Sequence, residues 1–364
     1  MDKQETKDSM EDFFDNIGRK FRERVDIAKE FEITAEEPLV ETGFIPSFIL
    51  DFKYLEAQKL KIDLLERYEG AKIEDVLSGK ELTTEMGACY CLSDHNEVSL
   101  IKPDKDEMRK KILSDLKLIF GIREKTEFQL KRKGYKTIKD LIRHPRFRSK
   151  AKEFLTFFDE FDLVNIIDWI GKRFPKSHPL MLYASGLYDK EDFVFLDIET
   201  LGFFTRPIIL FGVAHISGKR ISISQYLLRD ISEEAGAIAA TLSHFKESAA
   251  LVTYNGRAFD VPYIQERVAY YGMDADLNHC NIDLLHFSRR AWKERLPNCR
   301  LTTLEKHLLE IERKDDVPNT LVPEFYETYL KTENPGPLIP IVDHNKQDLI
   351  SLASIFSRLW DEWK

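Results

Sequence analysis

Two rhythms of apolar residues divide this chain of 364 residues. From residue 191 onward, apolar side chains come in short unbroken runs: FVFL from Phe193, PIILFGVAHI at 207–216, and AALVTY at 249–254. Runs of that length bounded by turn residues predict buried strands. Strands are expected over 193–199, 207–216, 219–228, 249–254 and 281–285, with the second and third joined antiparallel through Ser217-Gly218. Helices are expected near 232–247, 260–271 and 345–361. Three meandering strands followed by alternating helix and strand predict a mixed sheet with helices on its faces. Upstream the rhythm is helical. Met108, Ile112, Leu113, Leu116 and Ile119 mark one stripe, and 154–171 reads as an apolar helix. Pro175, Pro179 and Gly186 then break the pattern. Residues 36–101 read as short strands and turns, and 1–35 as a polar, helical or frayed segment. The expected organisation is a mixed region at 1–103, a helical region at 104–190 and an α/β domain at 191–364.

Acidic residues interrupt the pattern at informative places. Asp197 and Glu199 follow the first apolar run two positions apart, so a strand would point both carboxylates to the same face. Uncompensated, two buried negative charges are costly, and a positive species should share the space. The fourth strand runs into NGRAFD, which places Asp260 at a helix start. Near the C-terminus, HNKQD sets His344 and Asp348 four apart, on one face of a helix. Each piece alone is common among 63 acidic residues. The ordered combination is not.

With these motifs in place, the chain resembles the DEDD 3′–5′ exonuclease superfamily of the ribonuclease H-like fold, and within it the YprB-like ribonuclease H-like nucleases. DIET (Asp197, Glu199, Thr200), NGRAFD (Asn255 to Asp260) and HNKQD (His344 to Asp348) carry the resemblance across 191–364. It implies that Asp197, Glu199, Asp260 and Asp348 hold two Mg²⁺ or Mn²⁺ ions, with Asp197 bridging. It implies phosphodiester hydrolysis by activated water, with His344 taking the proton. Thr200, Leu201 and Phe203 would meet the 3′-terminal nucleotide, with Asn255 beside it. Two departures stand out. Leu201-Gly202-Phe203 replaces the group's frequent second Thr and Gly. His344 stands four before the last Asp, the spacing that one branch gives to Tyr, whereas the other places His five before it.

Charge adds a second element. The net charge is −9, yet residues 123–153 hold 12 Lys or Arg against 4 Asp or Glu. A local +8 inside an acidic protein marks an anion-binding face. Within it, GIREKTEFQLKRKGYKTIKDL resembles a helix–hairpin–helix DNA-binding element, with a short helix ending near Lys133 and Thr137 capping the next. Lys131, Arg132, Lys133 and Lys136 are the candidate phosphate contacts. The expected substrate is single-stranded nucleic acid, DNA ahead of RNA. The alternatives are an endonuclease of the same fold or a non-catalytic nucleic-acid-binding protein. Cys89, Cys91 and His95 match no strong zinc spacing, and there is no CxxC pair. No segment approaches the roughly 20 uncharged apolar residues of a membrane span. The acidic N-terminus carries no secretion-signal pattern, so the cytoplasm is expected. A monomer is expected, and the sequence names no protein partner.

Overall fold

The structure, a computed structural model, describes residues 45–98, 100, 104–202, 205–246, 248–275, 277 and 279–363. The expectation for 1–35 and the candidate Phe203 lie outside the described residues. Two compact units divide the chain, 1–56 and 57–364. The described part of the first is helical, within α1 (Ile45–Arg67). Everything below concerns the second.

Among the described residues, seven strands form one mixed sheet: β1 (Gly79–Thr84), β2 (Gly87–Glu97), β3 (Phe193–Thr200), β4 (Ile208–Ser217), β5 (Arg220–Leu227), β6 (Ala250–Thr253) and β7 (Cys280–Asp283). Their order is β1-β2-β5-β4-β3-β6-β7. The pairs from β1 to β3 are antiparallel, whereas β3–β6 and β6–β7 are parallel. Besides two single-turn helices, Ile73–Val76 and Leu301–Leu304, the helices after α1 are α2 (Lys105–Ser114), α3 (Glu124–Arg132), α4 (Arg148–Asp159), α5 (Leu163–Gly171), α6 (Pro179–Ser185), α7 (Glu234–Leu242), α8 (Asp260–Tyr270), α9 (Leu284–Trp292), α10 (Val322–Thr332) and α11 (Leu338–Glu362). The mixed sheet flanked by helices, preceded by a mostly helical stretch, is the architecture expected from the sequence.

The alternation of β3 divides the hydrophobic interior. Phe193 and Phe195 pack with the apolar faces of α2 to α6, α9 and most of α11. Val194, Leu196 and Ile198 pack on the other side with α7, α8 and α10. The 104–190 region is therefore the cover of one sheet face, and its core is continuous with that of β3.

Five details depart from the expectation, the first being that Ile45–Arg67, within the stretch read as short strands and turns, is the helix α1. Residues 79–97 extend the sheet, because β2 pairs with β5 from Tyr90–Leu227 to Glu97–Arg220. The apolar run at 154–171 is two helices: Phe161 takes a left-handed φ of 56°, and Asp162 caps α5 by accepting from Asn165 N. Thr137 does not cap a helix. Its N–H and hydroxyl both donate to Asp140 Oδ2, and a 3₁₀ turn, Asp140–Arg143, follows. The last helix begins at Leu338, not 345. Pro340 lies in its first turn, where a backbone N–H would have no intrahelical partner to lose.

One buried ion pair ties three elements on the second face. Glu234 at the start of α7 accepts from Arg267 Nε (2.8 Å) and Nη2 (2.6 Å) on α8, from Tyr271 Oη, and from Ile208 N at the start of β4. Both side chains are nearly inaccessible to solvent. Glu234→Ala leaves a buried guanidinium unpaired and should cost about 3–5 kcal/mol in denaturant unfolding. A loss below about 1 kcal/mol would assign the pair no structural role.

Candidate active site

Odd positions of β3 face α11, so Asp197 and Glu199 continue the direction of Phe193 and Phe195 at the strand's C-terminal end. There the sheet changes its bonding. Parallel pairing with β6 covers Phe193 to Phe195 only, and beyond it Ile198 N–H donates to Asp260 Oδ1 (3.2 Å) at the start of α8. On the other edge the β3–β4 register shifts between Glu199 and Thr200. Such irregularities commonly mark sites where a strand re-aims its side chains.

From α11, Asn345 binds Asp197 twice, its Nδ2 donating to the main-chain oxygen (3.1 Å) and to Oδ2 (2.7 Å). Gln225 on β5 fixes Asn345 in turn, donating from Nε2 to Asn345 Oδ1 (2.8 Å) and to Val342 O (2.9 Å). Gly212, directly across from Asp197, makes room: a Cβ there would overlap the Asn345 amide. On the preceding residue, His344 Nε2 lies 3.8 Å from Glu199 Oε1 and 3.7 Å from Asp348 Oδ2. Its Nδ1 pairs with Asp316 Oδ1 at 2.6 Å. Arg313 completes the cluster, bound to Glu305 through Nε (2.7 Å) and Nη2 (2.6 Å) and to Asp348 Oδ1 through Nη2.

The electrostatics follow from six carboxylates facing two cations. Burial raises Asp197 well above the usual range, and the charges of Asp348, Glu199 and Asp260 add to it. Burial lifts Glu199 to about 8, with His344 opposing and Asp348 and Asp260 reinforcing. Asp260 rises to about 7, mainly by burial and against its backbone hydrogen bonds. Asp348 is also raised by burial, against His344 and Arg313. For His344, burial lowers the value, but the Asp316 hydrogen bond and the Asp348 and Glu199 charges outweigh it and push it to about 9. Strongly perturbed carboxylates packed together are the signature of a site that uses its charge.

Oxygen-only donors with a surplus of negative charge suit hard divalent cations such as Mg²⁺ or Mn²⁺. Among the described residues, no three His, Cys, Asp or Glu side chains already stand at metal-ligating positions. The match is one of donor chemistry and charge, with Asp197, Glu199, Asp260 and Asp348 as the four that would hold the ions.

The other sequence candidates are placed as follows. The Thr200 hydroxyl donates to Gly202 O (2.9 Å), and Leu201 is half-buried against the second core. Asn255 takes a left-handed φ of 65° and donates its N–H to Asp283 Oδ1 (2.9 Å). Lys131 pairs with Glu127, while Arg132 lies over the Phe128 ring. Lys133 and Lys136 are exposed. Cys89 and Cys91 are buried thiols, and His95 bonds Ser222. Sequence reasoning missed Asn345, although it lies inside HNKQD, and missed Gln225, Glu305, Arg313 and Asp316. Nothing local distinguishes the last two within the charged stretch IERKDDVP.

Residues 194–360 match the family model described as the RNase_H superfamily. The C-terminal domain is RNase H-like. The uncharacterized protein YprB of Bacillus subtilis (strain 168) is 31% identical over 226 residues, covering 55% of this chain and 53% of that protein. The chain thus spans about half the length of this curated relative. All four clustered acids and His344 fall inside the RNase H-like match. Among the described residues, no helix is long and apolar enough to cross a membrane.

The raised values make a stability prediction for the metal-free RNase H-like domain. Glu199 rises from an ordinary 4.5 to about 8, so the folded state binds its proton more tightly than the unfolded chain. Its favourable contribution is complete below pH 4.5 and is lost as pH climbs through 8. Glu199→Gln removes this ionisation. In EDTA, the urea midpoint of the variant should rise relative to wild type between pH 5 and pH 8.5. A gap that stays constant or narrows over that range would contradict the charge-crowded site.

Proposed function

We propose that the protein is a metal-dependent 3′–5′ exonuclease acting on single-stranded nucleic acid, DNA ahead of RNA. The observation that carries the reading is the meeting of Asp197, Glu199, Asp260 and Asp348 from β3, α8 and α11 in a domain of RNase H-like type. These four would hold two Mg²⁺ or Mn²⁺ ions, which when bound acidify water and stabilise negative charge on phosphate oxygens. The chain's own residues do the rest. Asn345 and Gln225 keep the Asp197 carboxylate in place. His344, held through Nδ1 by Asp316, points Nε2 toward Glu199 and Asp348. That nitrogen is the proton acceptor in this reading. It is a cation at neutral pH in the crowded, metal-free cluster, and added positive charge nearby lowers its value into the working range.

Substrate reach falls to two regions. Thr200, Leu201 and Phe203 follow the catalytic strand and meet the 3′-terminal nucleotide, with Asn255 on the neighbouring turn. The basic face of α3 and the turn after it, with Arg132, Lys133 and Lys136, tracks the backbone. Two exposed aromatic rings support that face: Phe120, 71% exposed with Arg173 over it, and Phe128, 62% exposed with Arg132 over it. Aromatic platforms among cations suit unpaired bases and a phosphate backbone together.

The direct test uses 5′-labelled single-stranded DNA with Mg²⁺ or Mn²⁺. A ladder shortening from the 3′ end is expected, with EDTA abolishing it and Asp197→Ala removing it from a folded protein. Cleavage of circular single strands would replace the exonuclease with an endonuclease. Full activity in EDTA would end the metal-dependent reading altogether.

The basic face is tested separately by changing Lys131, Arg132, Lys133 and Lys136 together to Ala. Affinity should fall equally on all sequences, and the salt slope should shrink by about 0.7 for each lost single-strand contact. Lys131 is already engaged by Glu127, so it adds least. Unchanged affinity at every salt concentration would confine binding to the RNase H-like domain.

A further inference from the structure

Arg313 lies on the segment between the π turn Glu305–Leu309 and α10, and its side chain is 9% exposed. The charge-crowded cluster contains one other cation, His344. The geometry of Arg313 is specific. Its Nε and Nη2 form a two-point pair with Glu305, whose side chain is 1% exposed and also accepts the Ser351 hydroxyl. With the guanidinium plane fixed by that fork, Nη2 also donates to Asp348 Oδ1. The second oxygen of Asp348, Oδ2, is then the one turned toward His344 Nε2 and the Glu199 side.

We propose that Arg313 is a positioning residue: anchored on Glu305, it holds Oδ1 of Asp348 so that Oδ2 is presented to a divalent cation. The inference rests on the nuclease reading above and adds to it a residue outside the motifs. Outer partners that pin one carboxylate oxygen are a general means of orienting a metal ligand, and removing them costs affinity for the ion. A guanidinium suits the task because its fork can bind two carboxylates in a fixed plane. The opposite role, a cation standing where the metal would be, fits the surroundings less well. Such a charge would sit among several of the four acids, yet in its described contacts Arg313 reaches Asp348 alone of them, its other partners being Glu305, Asp316 and His344. The anchor points the same way. Glu305 opens a π turn, a rare widening of the helix that is common at functional sites, and the turn buries the carboxylate that receives Arg313.

The test uses the full chain, with Mn²⁺ alone as the probe in calorimetry and labelled single-stranded DNA for binding and turnover. Two variants are needed. Arg313→Lys keeps a buried positive charge but loses the fork. The double change Glu305→Gln with Arg313→Gln removes both charges, leaving no ion unpaired between them. Far-UV dichroism and the unfolding midpoint establish that each is folded. The double variant should weaken Mn²⁺ binding by about 10- to 100-fold, with Arg313→Lys in between. DNA affinity measured in EDTA should stay within about twofold of wild type, because no phosphate contact is touched. At saturating DNA, turnover should recover as Mn²⁺ is raised, a split that general loosening of the fold would not give. Mn²⁺ affinity unchanged within about threefold in both variants would overturn the proposal, as would tighter binding, which would make Arg313 a competitor of the ion. A wild-type protein that neither binds Mn²⁺ nor cleaves DNA would instead refute the nuclease reading on which the proposal stands.

Discussion

Buried negative charge at the end of β3 is the constraint that organises this protein. A carboxylate taken from water into a protein interior must be protonated, paired or bound to a cation. Here burial raises the proton affinity of Asp197, Glu199, Asp260 and Asp348, their neighbouring acids add to it, and the cations that oppose it are Arg313 and His344. A fold stabilised for its own sake would place apolar residues at these positions, as it does at Phe193 and Phe195, four and two residues before Asp197 on the same face. The charge is retained at a cost to folding, which is the expected mark of a working site.

The surrounding structure can be traced back to that constraint. The parallel partner β6 stops short, and the N–H of Ile198 beyond it donates to Asp260, so the end of strand pairing itself delivers the third acid. Opposite Asp197, a residue without a side chain lets α11 approach until Asn345 reaches both the carboxylate and the backbone of β3. Backbone geometry, more than side-chain choice, sets where the acids meet. The helical region at 104–190 contributes indirectly. Its apolar faces and those of α11 share one core with β3, so the helix that carries His344, Asn345 and Asp348 is held against the strand from both sides.

Elements governed by local pattern were legible in the sequence. Continuous apolar runs marked β3, β4 and β6 to within a residue or two, because strands buried on both faces need apolar side chains at nearly every position. The period-2 and i,i+4 rules placed Asp197 with Glu199 and His344 with Asp348. What could not be read were features created by contact. The β1–β2 hairpin joins the sheet at β5 across more than a hundred residues of chain. α11 starts at Leu338, ahead of the expected 345, and Pro340 is harmless in its first turn. The break between α4 and α5 depends on one left-handed phenylalanine inside an otherwise helical apolar run.

The most instructive omission concerns Arg313 and Asp316. In sequence they belong to a run of charges, ERKDD, that local rules assign to a solvated loop. In the fold, the Arg313 side chain is 9% exposed and that of Asp316 25%, and each touches a residue of the last motif. Motif residues can be recognised because their spacing follows the period of the element that carries them. Residues that orient them come from a different element, and no period relates the two. The only precondition visible in the sequence was the charge imbalance itself. Four acids converging on one strand end require positive partners, and a loop rich in both signs, lying between the second and third motifs, was the available source.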